Sequence, residues 1–204
     1  MNKSSRKRRT NEKDMNTGKT RLLGIRERIR TPYLNFYTLK YENRIGKQKN
    51  YEMVSKQPIH FPEDLPGQTN GVAMIVLVED KLLLLKEFRM AVNNFIYNLP
   101  AGTIEEEETV KECAKRELFE ETGLTVKKII EILPASYGAV DITNARAAVV
   151  FLEAEGELSD ANLTEDEEIT PILVTRKEAE QLIKTAPFSG RAQMAAWSFA
   201  KGML

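Results

Sequence analysis

Glu117, Glu120 and Glu121 crowd the last turns of a segment, GTIEEEETVKECAKRELFEETGL (residues 102–124), whose pattern predicts a helix. Thr109-Val110-Lys111-Glu112 fits a capping box at its start, and Gly123 after Thr122 a C-cap, so the helix is expected over residues 110–121. At about 100° per residue, Glu121 falls about 40° to one side of Glu117 and Glu120 about 60° to the other, so the three carboxylates share one face. Val110, Cys113 and Ala114 continue that face toward the N-terminus as an apolar anchor. Acids at a helix C-terminus are repelled by the dipole, and like charges at i,i+4 repel one another, a combined cost of about 1–2 kcal/mol. A bound cation reverses that sign. Clustered carboxylates without histidine suit a hard ion, Mg²⁺ or Mn²⁺, which takes a few carboxylate oxygens and keeps water and substrate phosphate. On acidity alone, a solvated glutamate-rich face is the competing reading.

The chain of 204 residues, 42% hydrophobic and 29% charged, has room for one well-cored domain with an added substructure. The longest apolar runs, residues 71–78 (GVAMIVLV) and 147–152 (AAVVFL), fall far short of the roughly 18–20 residues of a membrane span and read as buried strands. The basic start MNKSSRKRRTNEKD is followed by no apolar stretch, so a secretory signal is not read and a cytoplasmic location, with no membrane partner, is expected. The single cysteine, Cys113, excludes an internal disulfide and a multi-cysteine zinc site. The single histidine, His60, is the one residue on which a histidine-based triad would depend.

Zero net charge conceals an asymmetry. Residues 1–30 carry eleven Lys or Arg against three acids, a net of +8, leaving −8 on residues 31–204. Such an arm reads either as a nucleic-acid contact or as a solvated flexible tail, and the lack of interleaved aromatics favours the tail.

Several elements must position the acidic helix. Residues 33–41 (YLNFYTLKY) and 51–57 (YEMVSKQ) read as a hairpin about the turn NRIGK, and Pro58, Pro62, Pro66 and Gly67 mark a loop. GVAMIVLVEDKLLLLKEFRM gives two strands about Glu79-Asp80, and residues 96–99 a short strand ending at Pro100. Further strands are expected at 126–133, 146–154 and 169–174, helices at 177–185 and 190–202, and an acidic loop at 160–168. In the last helix Met194, Ala195, Trp197 and Phe199 are expected to face the core. Strands before and after a central helix make the class a mixed α/β sandwich.

The wider pattern runs Gly102, five residues, Glu108, seven residues, then Arg116-Glu117-Leu118-Phe119-Glu120-Glu121-Thr122-Gly123-Leu124. It resembles a complete Nudix box, with Gly123 and Glu108 as structural members. The resemblance implies a Nudix fold, a mixed β-sheet sandwiched between α-helices, here with an N-terminal β-hairpin extension. It divides the chain into a basic flexible tail (1–30), a hairpin and linker (31–68) whose strands can swap in a dimer, and the hydrolase domain (69–204). It also implies that Glu117, Glu120 and Glu121 bind divalent metals, that Arg116 pairs with Glu108 or orients a box glutamate, and that Gly102 permits a tight loop. Family enzymes hydrolyse a nucleoside diphosphate linked to another moiety.

Beyond the box, Lys86-Glu87-Phe88-Arg89 and Leu99-Pro100-Ala101-Gly102 are similar to the ADP-ribose pyrophosphatase branch. That likeness implies Arg89 beside the substrate, the Ala101 carbonyl as a metal ligand, a homodimer, and cleavage of ADP-ribose to AMP and ribose 5-phosphate. The chain departs from the branch at Asn98, where glutamate is common, and at Asp141-Ile142-Thr143-Asn144-Ala145, which lacks the branch's loop glutamate. Three readings follow. Asp141 or Glu120 serves as the base, or the acidic loop at 165–168 folds over the site, or the protein binds a nucleotide sugar with little or no cleavage.

Overall fold

Leu82, Leu83, Leu84 and Leu85 are each fully buried, as expected of a strand covered on both faces. The computed structural model, which describes residues 19–204, shows what covers them. The strand β5 (Lys81–Arg89) lies inside a sheet of order β10-β5-β4-β9-β8, with β6 paired to β5 and β7 to β4. Its other members are β4 (Thr69–Val78), β6 (Asn94–Asn98), β7 (Ala101–Thr103), β8 (Thr125–Tyr137), β9 (Arg146–Glu155) and β10 (Ile169–Val174). β4 and β9 run parallel and the remaining pairs antiparallel, so the sheet is mixed.

Alternation along β5 sends its leucines into two cores. Leu83 joins Val72, Met74, Val76, Val150 and Leu152 against Cys113, Ala114 and Leu118 of α1 (Val110–Thr122). Leu82 and Leu84 join Ala179 of α2 (Arg176–Thr185) and Ala192, Ala195, Ala196 and Phe199 of α3 (Gly190–Ala200). The sheet is therefore layered between α1 and the α2–α3 pair, the expected sandwich. Met194 and Trp197, expected in the core, are instead exposed. Alanines let α3 lie close to the sheet, and the buried arc runs through Ala192, Ala195, Ala196 and Phe199.

The chain divides into two compact units, Met1–Gly67 with Ala139–Asn144, and Gln68–Gly138 with Ala145–Leu204. The first holds a three-stranded antiparallel sheet of β1 (Arg21–Arg30), β2 (Asn35–Glu42) and β3 (Gln48–Ser55). Its small core comprises Tyr37, Leu39, Met53 and Ile59. The expected hairpin is β2–β3. The expected flexible arm over 1–30 is corrected for residues 21–30, which pair with β2; Leu22 and Ile25 pack on the small core despite the charges between them. Residues 1–18, the rest of that arm, lie outside the described residues.

Candidate active site

The acidic helix starts and stops as its sequence dictates. The Thr109 hydroxyl accepts from the Glu112 N–H, and the Glu112 carboxylate accepts from the Thr109 N–H at 2.9 Å. Gly123 closes the helix with φ 74°, donating its N–H to the Phe119 carbonyl at 2.9 Å. β7 lies beside α1 because it pairs with β4, Ala101 opposite Ala73 and Gly102 opposite Val72. A Cβ on Gly102 would sit 1.7 Å from Glu117 Cδ, so only glycine leaves room for that carboxylate.

Arg116 organises the cluster. It grips Glu108 with two parallel bonds, Nε to Oε1 and Nη2 to Oε2, both 2.9 Å. Its Nη1 reaches Glu117 at 2.9 Å and Glu120 at 3.0 Å, and Nη2 also donates to the Thr103 carbonyl at 3.0 Å. The fork holds the Glu108 carboxyl down at about 2, and Glu108 in turn raises Arg116 above its usual value. Glu117 is shifted the other way, upward, because burial outweighs its bond to Arg116.

Glu121 stands apart from Arg116. Its residue is 6% exposed, and its carboxylate accepts one hydrogen bond, from the Ala101 N–H at 3.1 Å. Burial pushes it up to about 9, and the charges of Glu117, Glu87 and Glu167 push in the same direction. A buried carboxylate so poorly compensated must either hold a proton or find a cation.

The donor set fits a hard divalent ion in kind: oxygen ligands on one helix face, with Glu121 short of positive charge. Among the described residues, however, no three His, Cys, Asp or Glu side chains converge as they stand into a group that could hold an ion. Arg116 occupies Glu117 and Glu120, so a cation must draw at least one of them away from it.

Of the residues singled out in the sequence, Ala101, Gly102, Glu108, Arg116, Glu117, Glu120 and Glu121 come together here, with Gly123 capping their helix. Arg89 ends β5, its Nη1 3.7 Å from Glu87 Oε2. Asp141 belongs to the other compact unit, where its backbone carbonyl accepts from the Tyr51 hydroxyl. One carboxylate was passed over, Glu87, 5% exposed and hidden within a strand motif; Glu167 lies in the acidic loop already singled out, whose charges gave no ground for choosing one. That loop docks on the end of α1, with Ser159 N–H donating to Thr122 O at 2.8 Å and Asn162 Nδ2 to Phe119 O at 3.4 Å.

Comparison with known proteins gives a consistent answer. A family model described as the NUDIX domain matches residues 67–197. ADP-ribose pyrophosphatase of Bacillus subtilis is 33% identical over 117 residues, 56% of this chain and 63% of that protein. The Saccharomyces cerevisiae protein of the same name is 25% identical over 142 residues, 67% of this chain and 59% of its own. That of Escherichia coli K12 is 29% identical over 129 residues, 58% and 60% respectively. The chain thus spans between 59% and 63% of the length of these curated relatives. A crystal structure of an ADP compounds hydrolase superposes with a TM-score of 0.70 at 19% identity, over 91% of this chain and 96% of that one, a likeness of fold.

Proposed function

Because this chain belongs to the Nudix family, we propose that it hydrolyses the diphosphate bond of a nucleoside diphosphate derivative, ADP-ribose foremost, giving AMP and ribose 5-phosphate. The observation that carries this reading is the buried, undercompensated Glu121 on a helix face shared with Glu117 and Glu120. Relatives named ADP-ribose pyrophosphatase support the substrate class.

Members of the family generally use divalent metals. In this chain Glu117, Glu120, Glu121 and the Ala101 carbonyl would hold Mg²⁺ or Mn²⁺, which would neutralise phosphate charge and lower the pKa of bound water. The chain's own groups do the rest. Water adds to one phosphorus, the bridging P–O bond breaks, and the proton of the water passes to a carboxylate. Asp141 and Glu120 remain candidates for that base, and the acidic loop gains support from Glu167, whose charge acts on Glu121. Arg89 supplies a cation for the diphosphate; its side chain is 58% exposed.

Cleavage is tested by incubating the protein with Mg²⁺ or Mn²⁺ and a panel of nucleoside diphosphate derivatives, with products resolved by chromatography. Release of AMP and ribose 5-phosphate from ADP-ribose is the expected result. One observation favours a second reading, binding without cleavage: the segment Asp141-Ile142-Thr143-Asn144-Ala145 holds no glutamate. That reading wins if ADP-ribose raises the thermal midpoint while nothing on the panel is cleaved.

No described helix is long and apolar enough to cross a membrane. A cytoplasmic location and a homodimer are part of the same proposal, the dimer supported by β1, an edge strand of its sheet.

A further inference from the structure

Arg89 would be of little use to a diphosphate if its guanidinium wandered, and the structure sets a buried carboxylate near it. Successive odd positions of β5 share one face of the sheet. Leu83 on that face packs against α1, and Glu87 and Arg89 follow it along the same face, the Glu87 charge acting on Glu121 of α1. Glu87 is 5% exposed, and its two oxygens have different neighbours. Oε1 accepts from Asn98 Nδ2 at 2.6 Å on the adjacent strand β6, while Oε2 lies 3.7 Å from Arg89 Nη1.

Asn98 is itself fixed. Its Oδ1 accepts from the Ser189 hydroxyl at 2.6 Å, and Ser189 is the N-cap of α3, its N–H donating to the Tyr97 carbonyl at 3.0 Å. A serine anchored by a helix start therefore orients an amide, which orients a buried carboxylate. That carboxylate lies 3.7 Å from the guanidinium of Arg89.

We propose that Glu87 is a positioning residue, held by Asn98 and Ser189, that aims the Arg89 guanidinium at the diphosphate of the substrate. This rests on the hydrolase reading above.

The test is a double-mutant cycle read in binding, so that it does not depend on turnover. The probe is the α,β-methylene analogue of ADP-ribose, whose P–C bond resists hydrolysis, titrated with Mg²⁺ present. Glu87→Gln keeps an acceptor for Asn98 but removes the charge that faces Arg89. It is expected to weaken binding about three- to fivefold in the otherwise native chain and less than about 1.5-fold beside Arg89→Ala. With ADP-ribose, KM should rise by the same factor while kcat stays within about twofold. A merely structural role would lower the thermal midpoint without coupling to Arg89. Should Glu87→Gln fail to fold, Asn98→Ala takes its place in the cycle, because it frees Oε1 and leaves the carboxylate present.

Equal losses with and without Arg89, or a fall in kcat with KM unmoved, would overturn the proposal and leave the hydrolase reading standing. If the native protein neither binds the analogue nor cleaves anything on the panel, both fall together.

Discussion

At the scale of single residues, Glu121 and Glu108 make opposite predictions about pH. Glu121 rises from the usual 4.5 to about 9 in the folded chain, so between those values the unfolded state gives up its proton and the folded state keeps it. The metal-free protein should then lose stability as pH climbs from about 5 to 9, and Mg²⁺ should flatten the loss. Glu108 falls from 4.5 to about 2, so its contribution is complete above 4.5 and disappears as pH drops toward 2. Melting curves at pH 3, 5 and 8, with EDTA and with Mg²⁺, separate the two windows. Glu121→Gln should abolish metal-dependent hydrolysis and raise the metal-free midpoint at pH 8; each 1 kcal/mol gained is worth about 2–4 °C in a chain of this size. A variant with full activity would remove Glu121 from the metal site. Gly102→Ala should fold yet lose on the order of 10²-fold in kcat/KM, because its Cβ displaces Glu117, whose carboxyl carbon would lie 1.7 Å away. Glu117, Glu120 and Glu121 were legible because helical spacing puts them on one face, and Gly102, Glu108 and Arg116 because with them they complete a pattern that resembles the Nudix box. Glu87 was not, since a lone acid in a strand announces neither its burial nor its partner, both of which depend on β6 and α3.

At the scale of elements, the caps of α1 carry the next prediction. Thr109→Ala removes an N-cap acceptor and half of a capping box, and should cost about 1 kcal/mol, seen as a midpoint lower by about 2–4 °C. Activity well below the midpoint should be unchanged, since Thr109 touches none of the acids at the far end. The elements that the sequence displayed plainly were those with strong local signals: the capped α1, the four leucines of β5, and the β2–β3 hairpin. β7 was missed because three residues, Ala-Gly-Thr, carry no period, and their strand exists only through pairing with β4. β1 was read as part of a basic arm because its charges mask the two apolar side chains that pack on the small core. Trp197 and Met194 were expected inside as part of an apolar stripe with Ala195 and Phe199. The alanines and Phe199 of α3 were already sufficient to meet the sheet, so the larger side chains were left outside.

At the scale of the whole molecule, the charge asymmetry divides within the basic segment. Residues 21–30 belong to β1, while residues 1–18 carry six Lys or Arg against two acids and no aromatic side chain. A stretch with that composition binds polyanions by charge alone, weakly and with steep dependence on salt. Deleting residues 1–18 leaves β1 and everything after it in place. The truncated protein is expected to match the full chain in thermal midpoint, because the deletion takes none of the described cores. It is also expected to match it in ADP-ribose hydrolysis, because every group assigned here to the site lies beyond residue 80. Retention on immobilised RNA, compared for the two proteins at about 0.05 and 0.15 M salt, checks the remaining point. Neither should be held at the higher salt if the arm is a solvated tail. If the full chain is held there and the truncated one is released with its hydrolysis intact, the arm is a nucleic-acid binder acting independently of the hydrolase.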